Sequence, residues 1–185
     1  MMSRVRLWAM MFLWGTVIGT CAVIPFLPPH ASAGTTSTAC AMYDAAGTTT
    51  VTLTTAGTYY QQLDGWLNGN QQGGCIHNAS DGGTSAGTLR AQQTGLYVVS
   101  LGVSGSLNGN AIVHSAIYVN GTKKDNCEFE QNMTTSTSQR GAVTCLLNLA
   151  VNDLVDVRHS SDTNTRTLTI MHSNLAMWLL MWLLN

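Results

Sequence analysis

Residues 95–103, Gly-Leu-Tyr-Val-Val-Ser-Leu-Gly-Val, constrain this chain more than any other stretch. A run of β-branched, aromatic and aliphatic residues opens on a turn glycine and closes before Ser104-Gly105-Ser106, as a central strand does. Tyr97, Val99, Leu101 and Val103 share one face, while Val98, Ser100, Gly102 and Ser104 share the other. An apolar face backed by a small or polar one is the period-two pattern of a sheet packed on one side.

Other segments repeat this pattern. Residues 48–54 alternate threonine with Val51 and Leu53, and 111–119 set Val113, Ser115, Ile117 and Val119 against Ile112, His114, Ala116 and Tyr118. Asn120-Gly121 follows; both residues tolerate the positive φ of a type I′ hairpin turn, so 122–131 returns beside 111–119. Strands are predicted at 88–90, at 142–151 with Val143, Cys145, Leu147, Leu149 and Val151 on one face, and at 154–159, 166–171 and 174–184. Residues 34–47 read as a linker or a first edge strand, and the Gly- and Asn-rich stretch 68–87 reads as a long loop. With no helical period after residue 34, the class is all-β, a sandwich or barrel spanning about 48–185.

Charge narrows the function. Only 9% of residues are charged and the formal net charge is −1, so no basic face exists for nucleic-acid phosphates. The first 33 residues are built differently. Arg4 and Arg6 precede an uncharged apolar run over 7–27, and Ala31-Ser32-Ala33 offers a small-residue cleavage site. A run of this length suits either a cleaved export signal or a retained hydrophobic helix anchored in a membrane, and membrane contact is expected through this segment alone. Cutting after Ala33 removes Cys21 and leaves Cys40, Cys75, Cys127 and Cys145, an even set suited to an oxidising compartment. Of three pairings, Cys40–Cys75 with Cys127–Cys145 is preferred because each joins neighbouring segments; four buried free thiols are the alternative.

Residues 175–184, Leu-Ala-Met-Trp-Leu-Leu-Met-Trp-Leu-Leu, are apolar on both faces and too short to cross a bilayer as a helix. One face of such a strand meets the core and the other needs a partner. Leu175, Met177, Trp178, Leu180 and Trp182 are therefore the expected subunit interface.

Gly95-Leu96-Tyr97-Val98-Val99-Ser100, Val119-Asn120-Gly121, 146–149 followed by Asn152-Asp153-Leu154-Val155-Asp156-Val157, and the apolar last strand together resemble the complement globular-head or tumour-necrosis-factor-like jelly roll. In particular they resemble the versions found in fibres, knobs and decoration proteins of bacteriophages and other viruses. This resemblance implies a ten-stranded antiparallel two-sheet sandwich assembled as a homotrimer, with its last strand near the threefold axis. It also implies a binding or structural role and no enzymatic one.

No set of residues argues for catalysis or for a cofactor. The histidines are scattered without zinc spacing, and Gly102-Val103-Ser104 lacks the closing glycine of a nucleophile elbow. Glu128 and Glu130 stand two apart on one strand face, which reads as a solvated surface. Asp153, Asp156 and Asp162 read as turn and surface carboxylates rather than a calcium site. Asn78, Asn120 and Asn132 each begin an N-glycosylation triplet. Tyr59, Tyr60 and Trp66, beside Gln61, Gln62 and Asn68, form the candidate ligand-facing loop. The expected function is a non-enzymatic trimeric virion protein, contacting other virion proteins or a host-surface glycan or protein. The alternative is a secreted complement-head-like or lectin-like module.

Overall fold

The computed structural model describes residues 38–73, 75–78, 86–135 and 137–182; the leader expected over residues 1–33 lies outside them. The strands are β1 (Ala39–Asp44), β2 (Thr49–Leu53), β3 (Tyr60–Gln61), β4 (Leu67–Gln72), β5 (Ile76–Asn78) and β6 (Thr88–Arg90), followed by β7 (Gly95–Leu107), β8 (Ala111–Val119), β9 (Thr122–Met133), β10 (Gln139–Leu149), β11 (Leu154–Ser161) and β12 (Arg166–Trp182). They form two antiparallel sheets. Sheet A runs β10-β7-β12-β1-β4 with β2 also on β12, and sheet B runs β5-β6-β11-β8-β9 with β3 on β11. This is the all-β jelly-roll sandwich expected from the sequence, with short β3 and β5 among the additions to the ten strands foreseen. Among the described residues, no helix is long and apolar enough to cross a membrane.

β7 and β12 are the spine of sheet A. Leu101 lies opposite Leu175, and Val99 lies opposite Met177. The sequence suggests two strands, 166–171 and 174–184, but β12 is continuous. A bulge between Ile170 and His172 supplies the extra residue, so that Leu168 and Ile170 point inward before it while Leu175 and Met177 point inward after it. The stretch expected as linker or edge contains β1, which lies inside sheet A between β12 and β4. Cys40 and Met42 bury its inner face, two anchors that a background of Thr, Ser and Ala conceals. The expected loop 68–87 likewise holds most of β4 and all of β5.

The core has two parts. Trp66, Tyr97, Leu101, Ile117, Leu149 and Leu175 belong to the larger cluster, and Val51, Leu53, Val113, Met133, Leu168 and Ile170 to the smaller. A buried polar seam separates them. On β8, Ser115 stands between Val113 of one cluster and Ile117 of the other; on β12, Ser173 stands between Ile170 and Leu175. Ser115 Oγ lies 2.9 Å from His159 Nδ1, and His159 Nε2 lies 3.5 Å from Gln62 Oε1. The Gln62 amide then donates to Ser173 Oγ at 3.1 Å and to Asp44 Oδ2 at 3.3 Å. Each buried polar side chain of the seam thus has a partner, which is what makes its burial tolerable.

Both disulfides cross from one sheet to the other. Cys40 of β1 joins Cys75, just before β5, and Cys127 of β9 joins Cys145 of β10, with Cα atoms 5.7 and 5.6 Å apart. The pairing preferred from the sequence is the one present. All four cysteines pack in the larger cluster, so covalent closure is confined to that part of the core. The β8–β9 hairpin turns at Asn120 and Gly121, with φ of 51° and 78°, as a type I′ turn requires. Asn120 also reaches the β10–β11 turn: its Nδ2 donates to Asp153 Oδ1 at 2.7 Å, and its Oδ1 accepts from Leu154 N at 2.9 Å.

Candidate functional site

The outward faces of the two sheets differ in chemistry. Of eight large apolar side chains left exposed among the described residues, six stand on strands of sheet A: Tyr43, Leu67, Leu146, Met171, Trp178 and Leu180. Strand register aligns them. Ala39, Trp178, Val98 and Leu146 form one row across four strands. The next row is Ala41, Ala176, Ser100 and Thr144, where Thr144 Oγ1 donates to Ser100 Oγ at 3.1 Å. Arg140 is the one formally charged residue facing outward on the described strands of this sheet, because Asp44 is buried in the seam and Arg166 stands opposite the buried Leu53, on the inward side of β12. Small and apolar side chains in flat rows make a surface that leaves water readily.

The residues singled out in the last strand divide between its two faces. Trp178 and Leu180 face outward, 40% and 56% exposed, but Leu175 and Met177 are fully buried against β7 and cannot meet a partner. Trp182 lies in β12 opposite Gly95, and its side chain is outside the described residues. Leu146 and Val98 complete the outward row and were not foreseen. The signal was present: Leu146 is an apolar residue at an even position of a strand whose odd positions already fill the core.

The expected ligand-facing aromatics also separate. Trp66 is 2% exposed, its indole N–H donating to Gln62 O at 2.9 Å, so it is a core residue and not a ligand platform. The Tyr60 ring packs beside the smaller cluster, its hydroxyl against Thr54 and accepting from Thr55 N at 3.0 Å. Tyr60 borders a recess beside β2, and Tyr59 lines a separate groove. Tyr59 lies on the outward face of sheet B with Gly57, His114, Lys123, Glu128, Glu130 and Ser160 among the groove walls.

Glu128 is the hub of this groove. It accepts from the Tyr59 hydroxyl, from Lys123 Nζ at 2.9 Å, and faces His114 Nδ1 at 3.3 Å. Burial pushes the Tyr59 phenol up to about 12, helped by its bond to Glu128, so it stays a neutral donor. Burial works against the Glu128 carboxylate, but the bonds from Tyr59 and Lys123 outweigh it and hold its pKa below the usual value. The bond to Glu128 in turn raises the pKa of Lys123. Alongside, Lys123 sits 5.3 Å from the Tyr59 ring centre and Arg158 sits 4.4 Å from that of Tyr118, while Arg158 Nε bonds Asp156 Oδ1 at 2.8 Å. Glu128 is therefore a paired structural carboxylate, whereas Glu130 is 70% exposed. Among the described residues no group of His, Cys, Asp and Glu could hold a metal ion.

No family model matches the sequence, and no curated protein matches it significantly. Solved structures do match in shape. The Eiger TNF structure from S. frugiperda superposes with a TM-score of 0.59 at 12% identity, covering 81% of this chain and 96% of that one. The globular domain of zebrafish complement 1qA superposes with a TM-score of 0.50 at 13% identity, covering 79% of this chain and 99% of that one. Two six-stranded sheets in this order, closed around β7 and β12 and matching both structures over nearly their full length, make the chain a TNF/C1q-like jelly-roll domain in fold.

Proposed function

We propose that this chain is a non-enzymatic module that associates with itself as a homotrimer through the outward face of sheet A. The observation that carries this reading is the aligned apolar row Ala39, Trp178, Val98 and Leu146 on a face with one formal charge. Lys123, Asp125, Glu128, Glu130, Asp156 and Arg158 stand on the opposite sheet, which the assembly would present to solvent and to partners. Threefold association is the arrangement implied by the jelly-roll resemblance.

Two disulfides fit an oxidising compartment, and with the TNF and complement 1qA shapes they favour a secreted recognition module. A virion knob or decoration protein is the second reading, supported by the Thr-, Asn- and Gly-rich composition; the export-like leader fits a membrane-containing virion and a secreted protein equally. Fractionation of native material separates the two, since a virion protein sediments with particles at fixed stoichiometry.

Self-association is tested by light scattering on wild type and on the double variant Trp178→Asp with Leu146→Asp. Wild type is expected at three times the monomer mass and the variant at monomer mass, with the far-ultraviolet circular dichroism of the sheets unchanged. These are outward positions, so the fold should survive. A monomeric wild type, or a folded variant that keeps the wild-type mass, removes sheet A as the interface.

A further inference from the structure

The outward face of sheet A changes character near the middle of β12, around His172 and Asn174. Strand register puts Arg140, Ser104 and His172 in one row across three strands. The adjacent row is Tyr43, Asn174, Gly102 and Ala142. Gly102, Ala142 and Ser104 are short, whereas Tyr43, Arg140 and His172 are tall, and a cavity of about 380 Å³ lies among them. Asn174 closes its floor, with Oδ1 over Gly102.

The cavity offers donors and no free carboxylate. A guanidinium, an imidazole, an amide and the Tyr43 hydroxyl line it, Ser104 Oγ already donating to His172 O at 3.5 Å, while its one acidic lining residue, Asp44, spends its oxygens on Ala46 N at 3.0 Å and Gln62 Nε2 at 3.3 Å. Among the described residues Arg140 has no carboxylate within ion-pair distance, although Lys123 and Arg158 both do. An unpaired guanidinium is harmless in water and strongly unfavourable once its surface is covered. The face that carries Arg140 is the one assigned above to self-association, and its described outward residues hold no acid to match it.

We infer that this cavity is a binding site for a small oxyanion, phosphate-like or carboxylate-like, held by Arg140 and His172. The site itself rests on the cavity and its donors. Its coupling to assembly rests on the reading of sheet A as the interface. A free anion is the occupant, and it supplies the negative charge that the described outward residues of sheet A lack.

The probe is inorganic phosphate, titrated into the full chain and followed by phosphorus NMR, with light scattering on the same samples. Wild type should bind phosphate saturably, and phosphate should make the oligomer more resistant to dilution. Arg140→Gln should weaken binding at least about tenfold, the loss expected for a charge-assisted bond. His172→Asn should shift it in the same direction and serves if the first variant misfolds. An oligomeric wild type without saturable phosphate binding overturns the site and leaves the association standing. Phosphate bound by a chain that stays monomeric upholds the site and removes the association. If Arg140→Gln loosens the oligomer while no phosphate binds, an acidic side chain of a neighbouring copy fills the cavity, and the free-anion assignment is wrong.

Discussion

His159 is the residue whose surroundings carry the clearest consequence. It lies fully buried in the polar seam, with Ser115 on one ring nitrogen and Gln62 on the other, and burial pushes its pKa down from 6.5 to about 4. The folded chain therefore takes the proton later than the unfolded chain does as pH falls. Stability that is complete above pH 6.5 is lost progressively between there and about 4, by about 3 kcal/mol for this one proton. Asp44, which shares the Gln62 amide, is the acidic group of the seam. Urea unfolding at pH 7.5 and pH 4.5 checks the effect, and His159→Gln should flatten the difference; an equal slope in both proteins assigns the acid sensitivity elsewhere. None of this was legible in the sequence, where His159 looked like one of several scattered histidines. Burial of a polar residue depends on partners distant in the chain, and Gln62 is 97 residues away.

Strands were far more legible than side-chain environments. The alternation over 95–103 identified the centre of β7, and Asn120-Gly121 located the hairpin, because local period and turn chemistry report directly on backbone shape. Two features escaped for physical reasons. The bulge in β12 reverses which parity faces the core, so a run apolar on both faces could not show that Leu175 and Met177 are inside while Trp178 and Leu180 are outside. Trp66 sits among Gln, Asn and Gly, and its burial is set by contacts with Gln62 and Gly87 that no local pattern displays. The two faces of β7 give a test at this scale. Leu101→Ala should cost about 3 kcal/mol in unfolding experiments, since it empties a fully buried site. Val98→Ala, one strand face away, should leave monomer unfolding within about 0.5 kcal/mol of wild type and instead weaken self-association, measured by dilution in an ultracentrifuge.

At the scale of the whole domain, the two disulfides decide how the sandwich comes apart. Each ties a strand of sheet A to sheet B, closing loops with sequence separations of 35 and 18 residues. By loop entropy these contribute about 4 and about 3 kcal/mol, so replacing either pair with serine should lower the denaturant midpoint by amounts in that order. The smaller core cluster has no such tie, and hydrogen exchange should find β2 and the first half of β12 opening before the region around Cys127 and Cys145. The position of the first staple has a mechanical meaning as well. The chain enters β1 at Ala39 directly beside Trp178 of β12, so tension on the incoming segment would unzip hydrogen bonds one at a time, the weakest way to load a sheet. One residue further on, at Cys40, the tension passes into a covalent bond and is shared with the opposite sheet. Cys40 thus acts as a rivet, spreading load that arrives at the first strand over both sheets.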